Sequence, residues 1–181
     1  MKSEPVPCTR EEMDALIESA IDNDFFYMLF KVARKTGRRL GEYYNVQVKD
    51  VDFERKVMMT QVLKRRKRIY KEALLDEELI YLIKRYIQTH RLKLDDYLFR
   101  AYSYRHIQNR VSHFAELAKI EHKVMFHNFR HYFVTELFKM GWTYDKIAKL
   151  TGHSSVGTLA IYDHTVASDL RGDAMKAIGN L

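Results

Sequence analysis

Four segments of the chain carry side chains whose types and spacing could serve chemistry. The first has the sequence TGRRLGE, in which Arg39 lies in the first turn of a predicted helix and Glu42 follows three residues later. Residues with this spacing share a helix face, so the carboxylate can orient the guanidinium, although a surface ion pair has the same spacing. The second segment is the basic run from Lys64 to Arg68, at the tip of a predicted hairpin. There, cations can enter a DNA groove and a lysine can deliver a proton.

The third segment, HNFRH, opens a predicted helix. His127 and Arg130 are three residues apart and share a face, whereas His127 and His131 have the four-residue spacing of zinc-binding histidines. A helical metalloprotease motif needs a glutamate after its first histidine, and this chain has Asn128 there. Arg130 beside the two histidines would also repel a dication. We therefore expect no metal at this segment.

The fourth segment extends from Gly141 to Thr165 and predicts two short helices joined by a turn. His153 lies in the turn and Tyr162 lies near the end of the second helix. Taken alone, this segment is also typical of a helix-turn-helix DNA-binding motif, because Ala148 and Gly152 are small where such a turn needs small residues.

The charge of the chain favours a polyanionic partner, above all nucleic acid. The 181 residues have a formal net charge of +7, and six of the eight residues from Lys64 to Lys71 are cations. A second basic group contains Lys31, Arg34, Lys35, Arg38 and Arg39. The solvated face of an ordinary protein can also carry such clusters.

The composition excludes several classes of protein. With 46% hydrophobic residues the chain can bury a core, which excludes intrinsic disorder. Cys8 is the only cysteine, so we expect neither a disulfide framework nor a cysteine-based zinc site. No apolar run approaches about 18 residues and no signal segment is recognisable, so we expect a soluble protein in a reducing compartment, with no membrane partner.

The elements that must position these segments predict an α+β fold, mainly helical with a small three-stranded antiparallel sheet. A capping box at Thr9 and Glu12 begins the first helix. Period-two patterns predict three strands between Gln47 and Leu75, with the sequences VQVKDVDF, VMMTQVL and IYKEALL. Further helices are expected at about 24–33, from 39, and at 76–90, 103–119, 128–140, 144–151, 155–162 and from 168.

The chain resembles the catalytic domain of the tyrosine recombinases, the phage-integrase family. The resemblance lies in five motifs that occur in the same order: TGRRLGE, a basic hairpin, H-x-x-R, G-H and a tyrosine. The gaps of 23 residues from Arg130 to His153 and of nine from His153 to Tyr162 match the family pattern. The resemblance extends from about Thr9 to the end of the chain. It implies the fold of DNA breaking-rejoining enzymes.

The resemblance implies a catalytic role for each matched residue. Arg39 and Arg130 would stabilise the charge that develops on a scissile phosphate, and His127 would lower the cost of ionising the tyrosine. His153 would donate a hydrogen bond to a phosphate oxygen. Tyr162 would attack the phosphodiester, giving a 3′-phosphotyrosine and a free 5′-hydroxyl without metal, ATP or another cofactor.

The remaining charged residues of the pattern are assigned by the same resemblance. Lys64 best matches the hairpin lysine that protonates the leaving oxygen, and Lys67 is the alternative. Glu42 is the orienting carboxylate of Arg39. Arg38 fills a position that is apolar in most of the family, which leaves two adjacent arginines that could point inward. We group it with the DNA-binding cations Arg65, Arg66, Lys67 and Arg68.

The implied function is that of a site-specific DNA recombinase acting on double-stranded DNA. A non-catalytic helix-turn-helix regulator and a topoisomerase-like enzyme with the same site are the alternatives. Residues 1–8 are expected to be the end of a linker and residues 9–181 a catalytic domain, with an N-terminal DNA-clamping domain absent from this chain. The tail after Tyr162 would join a homotetramer on DNA or pack on its own core, and a monomer in solution is consistent with both. We expect a cytoplasmic protein, or one at the host nucleoid if it is viral or plasmid-borne.

Overall fold

The computed structural model describes residues 6–62 and 69–151, and the chain divides into two compact units, Met1–Tyr132 and Phe133–Leu181. The fold is mainly helical with one small antiparallel sheet, which confirms the predicted class. The elements are α1 (Arg10–Glu18), α2 (Asp24–Thr36), α3 (Leu40–Tyr44), β1 (Val51–Asp52), β2 (Val57–Val62), β3 (Ile69–Leu74), α4 (Glu77–His90), α5 (Tyr104–Leu117), α6 (His127–Lys139) and α7 (Tyr144–Thr151).

Local sequence signals set the ends of the first helices. Thr9 accepts the Glu12 N–H at 3.2 Å and Glu12 accepts the Thr9 N–H at 2.8 Å, which forms the predicted capping box at α1. Helix α2 ends at Gly37, whose φ of 59° lies in the left-handed region that glycine adopts at little cost. This conformation turns the chain into α3, which has Arg39 as its N-cap residue.

The sheet has the strand order β1-β2-β3, and β2 pairs with β3 from Val57 opposite Leu74 to Val62 opposite Ile69. The residues that join β2 to β3, 63–68, lie outside the described residues. The prediction of a strand through VQVKDVDF is largely wrong, because only Val51–Asp52 pairs with β2. A 3₁₀ turn at Val48–Asp50 replaces the rest, held where Asp50 accepts the Gln47 N–H at 2.8 Å.

An aromatic cluster in the first unit holds together the elements that carry the candidate site. Phe30 of α2 packs against Phe114 of α5, with ring centroids 5.6 Å apart, and against Phe129 of α6 at 5.0 Å. Phe26 adds a third contact, at 5.2 Å from Phe114. Because α2 leads into Arg39 and α6 contains Arg130, this packing fixes the helices from which both arginines project.

The second unit has its own small core, formed by Val134, Leu137, Phe138 and Ile147. Tyr144, at the start of α7, contacts Phe138 with ring centroids 4.7 Å apart. Met140, the last residue of the predicted helix 128–140, is 65% exposed because α6 ends at Lys139 and the chain turns at Gly141. The predicted helices at 155–162 and from 168 lie outside the described residues. Among the described helices, none is long and apolar enough to cross a membrane.

Candidate active site

The turn between α2 and α3 brings the two predicted arginine segments together. Arg130 is buried, and its Nη1 donates to the carbonyl oxygen of Gly37 at 2.9 Å. Gly37 lies two residues before Arg39, so this hydrogen bond joins the start of α6 to the turn that presents Arg39. The positions of Arg39 and Arg130 are therefore coupled through this hydrogen bond.

Glu42 contacts Arg39 through both of its carboxylate oxygens. Oε2 accepts the Arg39 backbone N–H at 3.1 Å, and Oε1 lies 3.1 Å from Nη1 of the same residue. Glu42 is 1% exposed, whereas the Arg39 side chain is 25% exposed. A buried carboxylate thus fixes the orientation of a guanidinium that solvent, or a ligand, can still reach. This is the geometry that an orienting residue requires.

Arg38, which the sequence groups with the DNA-binding cations, points into the protein. Its guanidinium is buried and its Nη2 donates to the carbonyl oxygen of Glu72, in β3, at 2.6 Å. Within the described part of the chain, its Nε and Nη1 have no hydrogen-bond partner. Burial lowers the pKa of Arg38. The extended backbone at Arg39 explains the difference, since consecutive side chains then point to opposite sides.

Lys71 belongs to this cluster, although sequence analysis counted it only as part of the basic run. It lies in β3 and faces the same side as the buried Ala73. Burial lowers its pKa, the charges of Arg38 and Arg130 lower it further, and Glu42 opposes them. The period-two alternation of β3, read backwards from Ala73, is the signal that could have placed Lys71 with the inward-facing residues.

His127 is held in a form that can accept a proton. Burial lowers its pKa to about 4, and the charges of His131, Arg130 and Arg39 act in the same direction. His131 is affected similarly, because burial and Arg130 lower its pKa as well. The two rings contact each other nearly perpendicularly, with centroids 4.6 Å apart. Near neutral pH, His127 is therefore an uncharged imidazole among cations.

A groove of about 410 Å³ lies beside these residues. Arg39 and His127 line it together with polar side chains of α5, Tyr104, Gln108 and Asn109. The exposed part of the Arg39 guanidinium thus faces a space lined by hydrogen-bonding groups. Such a space can accept an extended polar ligand alongside the arginine.

The other predicted site residues lie outside the described residues. They are the hairpin cations Lys64, Arg65, Arg66, Lys67 and Arg68, together with His153 and Tyr162. Their roles remain predictions from the sequence. The cluster that the structure assembles consists of Arg38, Arg39, Glu42, Lys71, His127 and Arg130.

The chain as a whole is similar to known proteins. The chain is 29% identical over 154 residues to the tyrosine recombinase XerA of Saccharolobus solfataricus, covering 84% of this chain and 50% of the relative. It is 27% identical over 196 residues to the tyrosine recombinase XerC of Oceanobacillus iheyensis, covering 97% and 62%. The chain therefore spans between half and two thirds of the length of these relatives.

Solved structures show the same fold. The crystal structure of XerA recombinase matches with a TM-score of 0.81 at 26% identity, over 96% of this chain and 65% of that one. The Tn1549 transposon integrase, in complex with transposon right end DNA, matches with a TM-score of 0.72 at 17% identity, over 96% and 68%. The sequence model of the phage integrase family matches residues 8–168. Because that match includes most of the 181 residues, the chain belongs to the phage integrase family.

Proposed function

We propose that this chain is the catalytic part of a site-specific recombinase that breaks and rejoins double-stranded DNA through a 3′-phosphotyrosine intermediate. The observation that carries the proposal is that Arg130 is hydrogen-bonded to the turn that presents Arg39, while Arg39 and His127 line one groove. In the sequence these residues fall on two motifs of the family, and the relatives described above are named tyrosine recombinases.

In the proposed reaction, the hydroxyl oxygen of Tyr162 attacks the scissile phosphorus and the bond from phosphorus to the 5′-oxygen breaks. The phenolic proton passes to His127, and the leaving oxygen takes a proton from the hairpin lysine, Lys64 or Lys67. Attack by a 5′-hydroxyl of a partner strand reverses these steps and releases Tyr162. Bonds and charges balance without an external energy source.

His127 becomes a better acceptor once DNA is bound. Ionising a free tyrosine near neutral pH costs roughly 4 kcal/mol, so the proton needs a nearby base. The low pKa of His127 reflects burial and surrounding positive charge. A bound phosphodiester supplies negative charge beside the imidazole and raises that pKa, which favours proton transfer in the complex and not in the free protein.

Arg39 and Arg130 are suited to the charge that builds on the phosphorus. Both guanidiniums are held in place before any ligand binds, Arg39 by Glu42 and Arg130 by the Gly37 carbonyl. Preorganised donors of this kind each typically lower a barrier by about 3 kcal/mol. His153 would donate a further hydrogen bond to the same phosphate.

Two other interpretations are less well supported. A non-catalytic helix-turn-helix regulator gives no reason for Glu42 to orient Arg39, or for Arg39 and His127 to line one groove. A topoisomerase-like enzyme would share the site and differ in assembly. We propose double-stranded DNA as the partner, homotetramer formation through the tail after Tyr162, and a cytoplasmic or nucleoid location.

Covalent trapping tests the proposal. The protein is incubated at low salt with nicked DNA substrates that carry a randomised duplex segment, and adducts are resolved on denaturing gels. The parent and Tyr81→Phe, which changes a tyrosine that is 62% exposed on α4, should give detergent-resistant adducts. Tyr162→Phe should give none. An adduct that persists in Tyr162→Phe, or DNA binding that stays entirely non-covalent in all three proteins, would contradict the proposal.

A further inference from the structure

Three potential metal ligands of different types meet away from the candidate active site. Cys8 precedes α1, Glu12 lies in the first turn of α1, and His122 lies in the connection between α5 and α6. Their ligand atoms all lie within 4.8 Å of one another. Ligand atoms of one tetrahedral ion lie about 3.3–3.8 Å apart, since metal–ligand bonds are about 2.0–2.3 Å long, so small side-chain movements would bring the three atoms into that range.

The imidazole of His122 faces the Glu12 carboxylate at this point. Its Nε2 lies 3.2 Å from Oε2 of Glu12. Two ligand atoms of one tetrahedral zinc ion, each bonded at about 2.0–2.1 Å, lie about 3.3 Å apart, so Nε2 and Oε2 already have the separation of neighbouring ligands. An ion between them would bind Nε2 in its unprotonated form and replace this hydrogen bond.

The ligand set determines which metal fits. Cys8 is 6% exposed, and burial and the charge of Glu12 raise the pKa of its thiol to about 11, so the protein alone holds a neutral thiol. A divalent ion would replace that proton. Thiolate and carboxylate together then cancel the two charges of the ion, and the imidazole completes a sulfur, oxygen and nitrogen set. Zinc accepts this mixture, whereas Mg²⁺ and Ca²⁺ prefer oxygen alone.

We propose that Cys8, Glu12 and His122 form a zinc site that fastens the segment before α1 to the connection leading into α6. The fourth position is left for a water molecule, as in other three-ligand zinc sites. The single cysteine predicts no cysteine-based zinc site, whereas the site proposed here takes two of its three protein ligands from a glutamate and a histidine. His122 is 110 residues from Glu12, so the spacing of residues in the sequence does not indicate that they share a site.

The position of the site links it to the helix that carries His127 and Arg130. Asn128 Nδ2 donates to the carbonyl oxygen of Val6 at 3.0 Å, and its Oδ1 accepts the Met125 N–H at 3.0 Å. The residues next to Cys8 are therefore already hydrogen-bonded to the first turn of α6. Zinc would add a second, stronger connection between the same two parts of the first unit. This role is structural and does not depend on the proposed recombinase reaction.

Cobalt titration of the whole chain tests the proposal. A thiolate bound to Co²⁺ gives a charge-transfer band in the near ultraviolet, and Cys8 is the only cysteine, so the band can come from this site alone. Histidines elsewhere, including the neighbouring pair His127 and His131, cannot produce it. We expect one equivalent of Co²⁺ to develop the band and one equivalent of Zn²⁺ to abolish it.

Variants separate the site from general metal binding. Cys8→Ser and His122→Gln should lose the band, and Zn²⁺ should no longer raise their Tm. His113→Gln changes a half-buried histidine of α5 and should retain both responses. Absence of the band in the parent protein overturns the proposal without reference to any variant. Two further results would assign the metal to other histidines and overturn the proposal equally. One is zinc binding by a parent protein that shows no cobalt band, and the other is zinc binding that persists in His122→Gln.

Discussion

Two groups of cations in the first unit differ in how their charge is balanced. In the first group, each cation contacts a carboxylate. The cations lie in α2, and their acidic partners lie in α1 and at the start of α4. We call this group the α2–α4 face; it consists of Lys31, Arg34 and Lys35 with Asp14, Asp76 and Glu78. In the candidate active site, Arg38, Arg39, Lys71 and Arg130 gather around the carboxylate of Glu42. Among the residues that the structure describes, each cation of the first group contacts an acidic side chain, whereas the second group places several cations near the one carboxylate of Glu42.

The sequence does not distinguish these groups, because Lys31 to Arg39 reads as one basic stretch. Lys31 and Lys35 meet Glu78, and Lys35 also meets Asp76, acids that lie more than forty residues away at the start of α4. Only the packing of α2 on α4 reveals them. Basic density in a sequence is therefore weak evidence for a nucleic-acid site until the acidic partners are known.

The largest expected effect comes from Arg39→Ala compared with Arg34→Ala. Each change removes one arginine from the same region of sequence. We expect Arg39→Ala to slow adduct formation on DNA by roughly 10²- to 10³-fold, because a preorganised donor to the phosphate is lost. Arg34→Ala should leave the rate within about twofold and cost about 1–2 kcal/mol of stability, because the part-buried guanidinium contacts Tyr132 as well as Asp14. The measurement is a single-turnover time course of covalent adduct formation. Equal losses of rate in both variants would contradict the division of these arginines into two groups.

Glu42→Gln tests whether the cluster depends on its carboxylate. Removing this buried charge leaves neighbouring cations uncompensated, so we expect the free energy of unfolding to fall by about 2 kcal/mol. Added sulfate should recover part of that loss by binding to the exposed guanidinium of Arg39. The control is Glu72→Gln, which changes a half-exposed carboxylate paired with Arg55. Urea denaturation with and without sulfate gives the answer, and an unchanged stability would contradict the prediction.

Arg38→Leu should move stability in the opposite direction. The buried guanidinium has two nitrogens without hydrogen-bond partners in the described structure, and its charge adds to that of Arg39 and Lys71. Leucine removes this cost but leaves part of the volume of the arginine unfilled, so we expect a net gain of about 1 kcal/mol in unfolding free energy. Arg55→Leu, at an exposed arginine, should give no gain. A lower Tm in Arg38→Leu would mean that the hydrogen bond to Glu72 outweighs the buried charge.

The sequence predicted those parts of the fold and site that depend on neighbouring residues. The Thr9 capping box, the pairing of β2 with β3 and the contact between Arg39 and Glu42 all follow from spacings of a few residues. The burial of Arg38 and the position of Lys71 depend on how β3 packs against the turn after α2. The alternation of β3 can indicate which face of the strand Lys71 occupies, but it cannot indicate the contact with Arg38, which is more than thirty residues away in the chain.

The smallest expected effect concerns Glu78, on the α2–α4 face. Hydrogen bonds from Lys31 and then Lys35 lower its pKa from 4.5 to about 2. A carboxyl group with a depressed pKa stabilises the fold above its unfolded-state pKa, and the contribution disappears as the pH falls toward the folded-state value. Because Glu78 is 43% exposed, solvent screening reduces this contribution to about 0.5–1 kcal/mol.

Glu78→Gln should therefore lower the unfolding free energy near neutral pH and match the parent near pH 2, with DNA cleavage unchanged. Urea denaturation of both proteins across this range measures the difference. High salt should reduce it as well, because the ion pairs are partly exposed. A difference that stayed constant with pH would assign the effect to packing, and the α2–α4 face would then no longer be defined by its ion pairs.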